Sequence, residues 1–240
     1  MNTNNLINLK GLSLKYGEVE IFSNISFSVP EESFSIIIGP NGAGKTQLMR
    51  VMLGLQSPNS GGLETNFTLD EVGYVPQRLA VDPTIPITVK EFFRSYLKDC
   101  GFWLPKELIK FREIFGVEKL FNKRLGQLSG GEFQRILLAA VLTKKPKVLF
   151  LDEFAAGVDV GGQKNMFDYL AEVNRDEKTT IIMISHDLDV AYTYATQVLC
   201  LNKKMVCVGK PRDVLNAKVL EEMYGMPLTK LERHKDHAHD

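Results

Sequence analysis

Eight residues, Gly39-Pro40-Asn41-Gly42-Ala43-Gly44-Lys45-Thr46, stand between the apolar run Ser35-Ile36-Ile37-Ile38 and a helical pattern over 47–55. A glycine-rich turn in that setting presents successive backbone N–H groups. With the positive end of the following helix these form a hollow matched to phosphate oxygens. Lys45 is placed to reach the β- and γ-phosphates and the Thr46 hydroxyl to ligate Mg²⁺. The pattern implies that the chain binds a nucleoside triphosphate.

A second constellation is the apolar stretch Lys147-Val148-Leu149-Phe150-Leu151, which ends in Asp152-Glu153. Beside a phosphate loop, a strand end of this kind lets Asp152 hold Mg²⁺, directly or through water, while Glu153 orients or deprotonates an attacking water. A third is Leu128-Ser129-Gly130-Gly131-Glu132-Phe133-Gln134-Arg135, opening a helix that runs to Leu142. A Ser-Gly-Gly turn at a helix start offers a hydroxyl, exposed N–H groups and the helix dipole to an anion.

The elements that must position these groups are read from periodicity. Short β-type runs at 6–10, 20–29 and 33–38, with a turn at Gly17-Glu18, form a β-rich layer leading into the loop. Residues 56–68 read as a turn-rich connection and 71–75 as a strand. From about 78 to 145 the prolines and aromatics, with little β-branched content, read as a mostly helical lobe. Strands at 147–151 and 180–185 then alternate with helices at 162–175 and 187–195. Strands at 198–202 and 205–208 and two short helices within 211–224 follow. Alternation of this kind implies an α/β fold with a mainly parallel sheet.

Bulk properties narrow the function. The chain has 240 residues, enough for one large α/β domain, and 29 basic residues balance 29 acidic ones. Zero net charge gives no general attraction to nucleic acid, and no nucleic-acid partner is expected. No apolar run approaches the roughly 18–20 residues that span a bilayer, and the chain is expected to be soluble. The polar N-terminus lacks a secretory pattern, and Cys100, Cys200 and Cys207, an odd number, are expected as reduced thiols in a cytosol.

Taken together, residues 39–46, 128–135 and 148–153 resemble the Walker A, signature and Walker B motifs of ATP-binding cassette (ABC) ATPases, in the same order and at matching spacing, over nearly the whole chain. The resemblance implies one ABC ATPase domain over 1–230, its P-loop core at 1–77 and 146–225, an antiparallel N-terminal β layer, an inserted helical subdomain at about 78–145 and a polar tail at 231–240. It also implies roles. Tyr16 resembles the aromatic that stacks on adenine. Gln77 resembles the glutamine that touches Mg²⁺ and the lytic water, Asp159 the aspartate that crosses between subunits, and His186 the histidine at the γ-phosphate. Two such cassettes pair head to tail, so that Ser129, Gly130 and Gly131 of one close on ATP bound by the other. The sequence departs from the common pattern at Phe154-Ala155-Ala156, where Pro-Thr is frequent, and at Ala140, where Arg is frequent.

The stretch 74–78 followed by 82–89, with 157–163 and 199–202, resembles the cassettes of bacterial zinc and manganese importers, zinc slightly ahead. The implied partners are a second copy, integral-membrane permease subunits and, through them, a periplasmic or extracellular metal-binding protein. The implied location is the cytoplasmic face of the inner membrane. A manganese, iron-chelate or cobalamin importer stays open, as does a soluble cassette ATPase outside transport. The tail residues His234, His237 and His239 can be read as a metal-sensing segment or as a solvated tail.

Overall fold

The computed structural model describes residues 4–77, 82, 84–97, 111, 114–155 and 160–225. The chain divides into two compact units, one made of residues 1–66 and 182–240, the other of residues 67–181.

The first unit opens with β1 (Asn5–Tyr16) and β2 (Val19–Pro30), antiparallel across the Gly17-Glu18 turn. Alternation puts Ile7 and Leu9 of β1 in the core, and after a register shift between Leu9 and Leu12 it resumes with Leu12 and Leu14. Next comes β3 (Phe34–Ile38), buried along its whole length. A strand apolar on both faces must be covered on both, which is why its sequence shows no alternation. The phosphate loop leads from it into α1 (Lys45–Met52), which ends three residues short of the expected stretch.

One expectation is corrected here. The connection over 56–68 contains β4 (Ser60–Thr65), which pairs antiparallel with β1 to give the order β2-β1-β4. Its Ser-Gly-Gly start reads as a turn because the strand is an exposed edge with almost no apolar side chains. Gly61 sits at φ 92° and lets the two backbones touch, since a Cβ there would lie 2.4 Å from the Gly11 carbonyl oxygen.

In the second unit a 3₁₀ turn at Leu69–Glu71 leads into β5 (Val72–Val75), which runs parallel to β6 (Val148–Asp152) with Val75 opposite Leu151. Between them the described part of the lobe holds α2 (Val89–Tyr96), 3₁₀ turns at Val117–Leu120 and Leu125–Gln127, and α3 (Gly130–Leu142). Its core is aromatic as the composition implies. Phe93 meets Phe121 edge-on at 6.1 Å between ring centroids, and Phe111 and Phe115 both stand edge-on to Tyr169. Phe102 and Trp103 lie outside the described residues. After β6 come α4 (Val160–Asp176) and β7 (Thr180–Ile184), along which the chain re-enters the first unit.

The return segment supplies α5 (Leu188–Tyr194), β8 (Gln197–Asn202), β9 (Lys204–Gly209), α6 (Pro211–Val214) and α7 (Ala217–Tyr224). β8 lies parallel to β3, and β9 folds back antiparallel on β8. That hairpin register sets Cys200 opposite Cys207, their Cα atoms 4.8 Å apart, and the two are joined by a disulfide. The expectation of reduced thiols is thereby corrected for this pair: partners seven residues apart meet only once the hairpin is known. Cys100 lies outside the described residues.

Candidate functional site

The first unit carries the phosphate loop. Gly39 closes β3 where the main chain of β8 passes immediately behind it, and a Cβ at Gly39 would lie 1.9 Å from the Leu201 carbonyl oxygen. No side chain fits there, so this glycine is required by the fold before any ligand is considered. The loop is tied from behind: the Lys203 N–H donates to the Ala43 carbonyl at 3.1 Å, and the Ser23 N–H donates to the Lys203 carbonyl at 2.9 Å. Lys45, buried to 6 % exposure, donates its ammonium to the Gly39 and Pro40 carbonyl oxygens at 2.9 and 3.0 Å. The cation is thus held at the mouth of the turn that Gly42, Ala43, Gly44 and Thr46 complete. Asn41 is exposed on the same loop.

Two more expected residues belong to this unit. Tyr16 ends β1 half-exposed, its hydroxyl donating to the Gln47 amide oxygen at 2.9 Å and thereby fixed beside the first turn of α1. His186 is exposed on the turn after β7. That turn is anchored on both sides. The Ser185 N–H donates to the Ile37 carbonyl of β3, and Asp187 caps α5 by accepting from the Asp189 N–H at 2.8 Å. The imidazole therefore hangs from a strand next to the one that leads into the loop.

The second unit carries the acidic and amide groups. Asp152, the last residue of β6, is 1 % exposed, and Glu153 follows at φ 45°, a left-handed conformation uncommon for a residue with a side chain. The β5–β6 register, carried two residues past Val75 and Leu151, brings Gln77 opposite Glu153. The Gln77 amide Nε2 donates to Glu153 Oε2. Two residues expected to share one water are therefore in direct contact.

Ser129 is the N-cap of α3. Its hydroxyl accepts from the Glu132 N–H at 3.2 Å while the Glu132 carboxylate accepts from the Ser129 N–H at 2.8 Å, a reciprocal capping box. Lys123 adds an ion pair to Glu132 at 2.9 Å. The Lys123 and Ser129 hydrogen bonds hold the Glu132 carboxyl below the usual carboxylate range. A Cβ at Gly130 would meet no atom within 4 Å among the described residues, so packing inside this unit does not call for glycine there. A small residue with open space before it suits a turn that something else must approach closely. Gly131 continues the same turn, and Asp159 lies outside the described residues.

Sequence reasoning passed over one polar residue. Gln134, 8 % exposed on α3, donates its amide to the Gln77 carbonyl at 2.9 Å. The available signal was a glutamine on the face of α3 that is otherwise apolar.

No helix among the described residues is long and apolar enough to cross a membrane. Residues 22–156 match the family model for the ABC transporter. A zinc import ATP-binding protein of Pseudomonas fluorescens (strain Pf0-1) is 37 % identical over 98 % of this chain and 89 % of its own length. Its counterpart in Wigglesworthia glossinidia brevipalpis is 37 % identical over 92 % of this chain and 93 % of its own. The solved structure of cbiO1 from Clostridium perfringens, part of an ABC transporter complex, superposes with a TM-score of 0.71 at 24 % identity, covering 97 % of this chain and 99 % of that one.

Proposed function

The chain belongs to the ABC transporter family of ATP-binding, ATP-hydrolysing subunits, and from that premise we propose that it powers the uptake of zinc through membrane permease partners. The observation that carries the choice of zinc is 37 % identity, over 98 % of the chain, to a zinc import ATP-binding protein. Zinc is cargo in this reading. It passes through the permease, never through the residues described above.

Within the cassette, Lys45 and the loop N–H groups take the β- and γ-phosphates, and Tyr16 presents its ring to the adenine. Thr46, Gln77 and Asp152 would hold Mg²⁺. Hydroxyl, amide and carboxylate oxygens are hard donors with no thiol or imidazole among them, which fits Mg²⁺. When bound, Mg²⁺ offsets the phosphate charge. Glu153 accepts a proton from the attacking water, or orients it, and its contact with Gln77 fixes the carboxylate for that task. His186 donates toward the γ-phosphate.

Hydrolysis is completed by a second copy. Ser129, Gly130 and Gly131 of one cassette approach the γ-phosphate bound by the other, and Asp159 crosses between them. The open space at Gly130 supports that approach. Closure on ATP and opening after hydrolysis are passed to the permease at the cytoplasmic face of the inner membrane, with an external binding protein delivering the ion.

Uptake of radiolabelled zinc in cells lacking this chain tests the proposal. Restoration by the native sequence and not by Glu153→Gln is expected. Equal zinc uptake in every strain would redirect the cargo to manganese or an iron chelate.

A further inference from the structure

We infer that Gln134 is a positioning residue for hydrolysis, holding the Gln77 main chain so that the Gln77 side chain can hold Glu153. The inference rests on the ATPase reading above and names a residue outside its chemistry. Three observations within the second unit carry it. The Gln134 side chain is 8 % exposed and donates to the Gln77 carbonyl at 2.9 Å. Gln77 in turn donates from its side-chain amide to Glu153 Oε2. The Gln134 Oε1 is buried with no hydrogen-bond partner among the described residues.

The last point bears on why a glutamine stands here. A buried amide oxygen without a partner costs about 1–3 kcal/mol, so for packing alone methionine or leucine would serve better at this position. The retained N–H donor has one visible use, the Gln77 carbonyl. Gln77 follows β5 and Glu153 follows β6, each two residues past a paired position, so the contact between their side chains depends on where the main chain of residue 77 is fixed. Gln134 fixes it from α3, one turn after the Ser129-Gly130-Gly131 start of the same helix. A displacement of that helix start is thereby transmitted to Glu153 through two amides.

The test is a double-mutant cycle on the purified full-length chain, reading phosphate release and nucleotide affinity. Gln134→Met keeps the volume and removes the donor. It is expected to lower kcat by at least about tenfold, the scale on which small misplacements act, with the KM for ATP changed less than about twofold. In a Gln77→Ala background the same substitution is expected to change kcat less than about twofold, because no side chain remains to be positioned. An equal loss in both backgrounds, or none in the native one, overturns the inference. Gln134→Glu, which sets a carboxylate against the carbonyl, gives the same cycle if Gln134→Met does not fold. Lys45→Ala measured alongside separates the two failures. Turnover unaffected by Lys45→Ala overturns the ATPase reading, whereas turnover lost there and unchanged in both Gln134 variants overturns only this inference.

Discussion

The two units hold their functional groups by different means. In the first, the phosphate loop is clamped by main chain: the β8 backbone lies where any Cβ on Gly39 would go, and the Ala43 carbonyl is tied to the Lys203 N–H. In the second, Glu153 is reached by the Gln77 side chain, Gln77 by the Gln134 side chain, and the helix start by a Ser129–Glu132–Lys123 network. Main-chain clamps are stiff and admit no partial substitution. Side-chain ties can be lengthened, broken or remade at a cost near that of one hydrogen bond, about 0.5–1.5 kcal/mol. In the function proposed above, the difference suits a division of labour in which one half binds phosphate in a fixed frame and the other answers to a partner.

The comparison is broken most severely at the clamp. Gly39→Ala drives a methyl group to 1.9 Å from the Leu201 carbonyl oxygen, and neither main chain has slack to yield. Loss of stability by more than about 3 kcal/mol is expected, the cost of overpacking or worse. Denaturant unfolding checks it, and a variant of native stability that still bound ATP would remove the clamp from the account. The next effect is confined to the second unit. Glu153→Gln keeps the residue's size and its partner Gln77 but removes the basic oxygen, so hydrolysis is expected to fall by about 10²–10⁴-fold. ATP affinity should remain near native, and a dimer should accumulate with ATP. Phosphate release and sedimentation in ATP read the two halves of that expectation. A monomer with native turnover would leave the two-copy site without support.

Legibility in the sequence follows the same division. The glycine-rich turn was readable because main-chain geometry constrains residue type: only glycine fits against Leu201, and the Ile36-Ile37-Ile38 run before it belongs to a strand buried along its whole length. The strand β6, also buried on every residue, was readable to within one residue at each end: expected at 147–151, it runs over Val148–Asp152. β4 was not, since an exposed edge strand beginning Ser-Gly-Gly carries the composition of a turn, and its pairing to β1 is non-local. Cys200 and Cys207 were missed because their meeting is a property of the β8–β9 register. Gln134 stands within the signature stretch, but its role is not legible there, because a side-chain tie to a carbonyl 57 residues away leaves no local pattern.

The smallest effect sharpens the side-chain half of the comparison through pH. Glu132 is held as a carboxylate by the Lys123 hydrogen bond and the Ser129 N–H, and its folded pKa lies below the ordinary value of 4.5. A carboxyl depressed in the folded state contributes stability that is fully present above its unfolded pKa and lost as pH falls through the folded one. Glu132→Gln keeps an oxygen for the cap and removes the charge, so at neutral pH it should cost no more than about 1 kcal/mol, the half-exposed Lys123 being screened by solvent. The difference from native should shrink as pH drops below 4.5 and vanish once the native carboxyl is protonated. Urea unfolding of both chains across that range measures it. A gap that persisted at the lowest pH would mean that the helix start is held by the shape of residue 132, and that this part of the second unit is as rigidly framed as the phosphate loop.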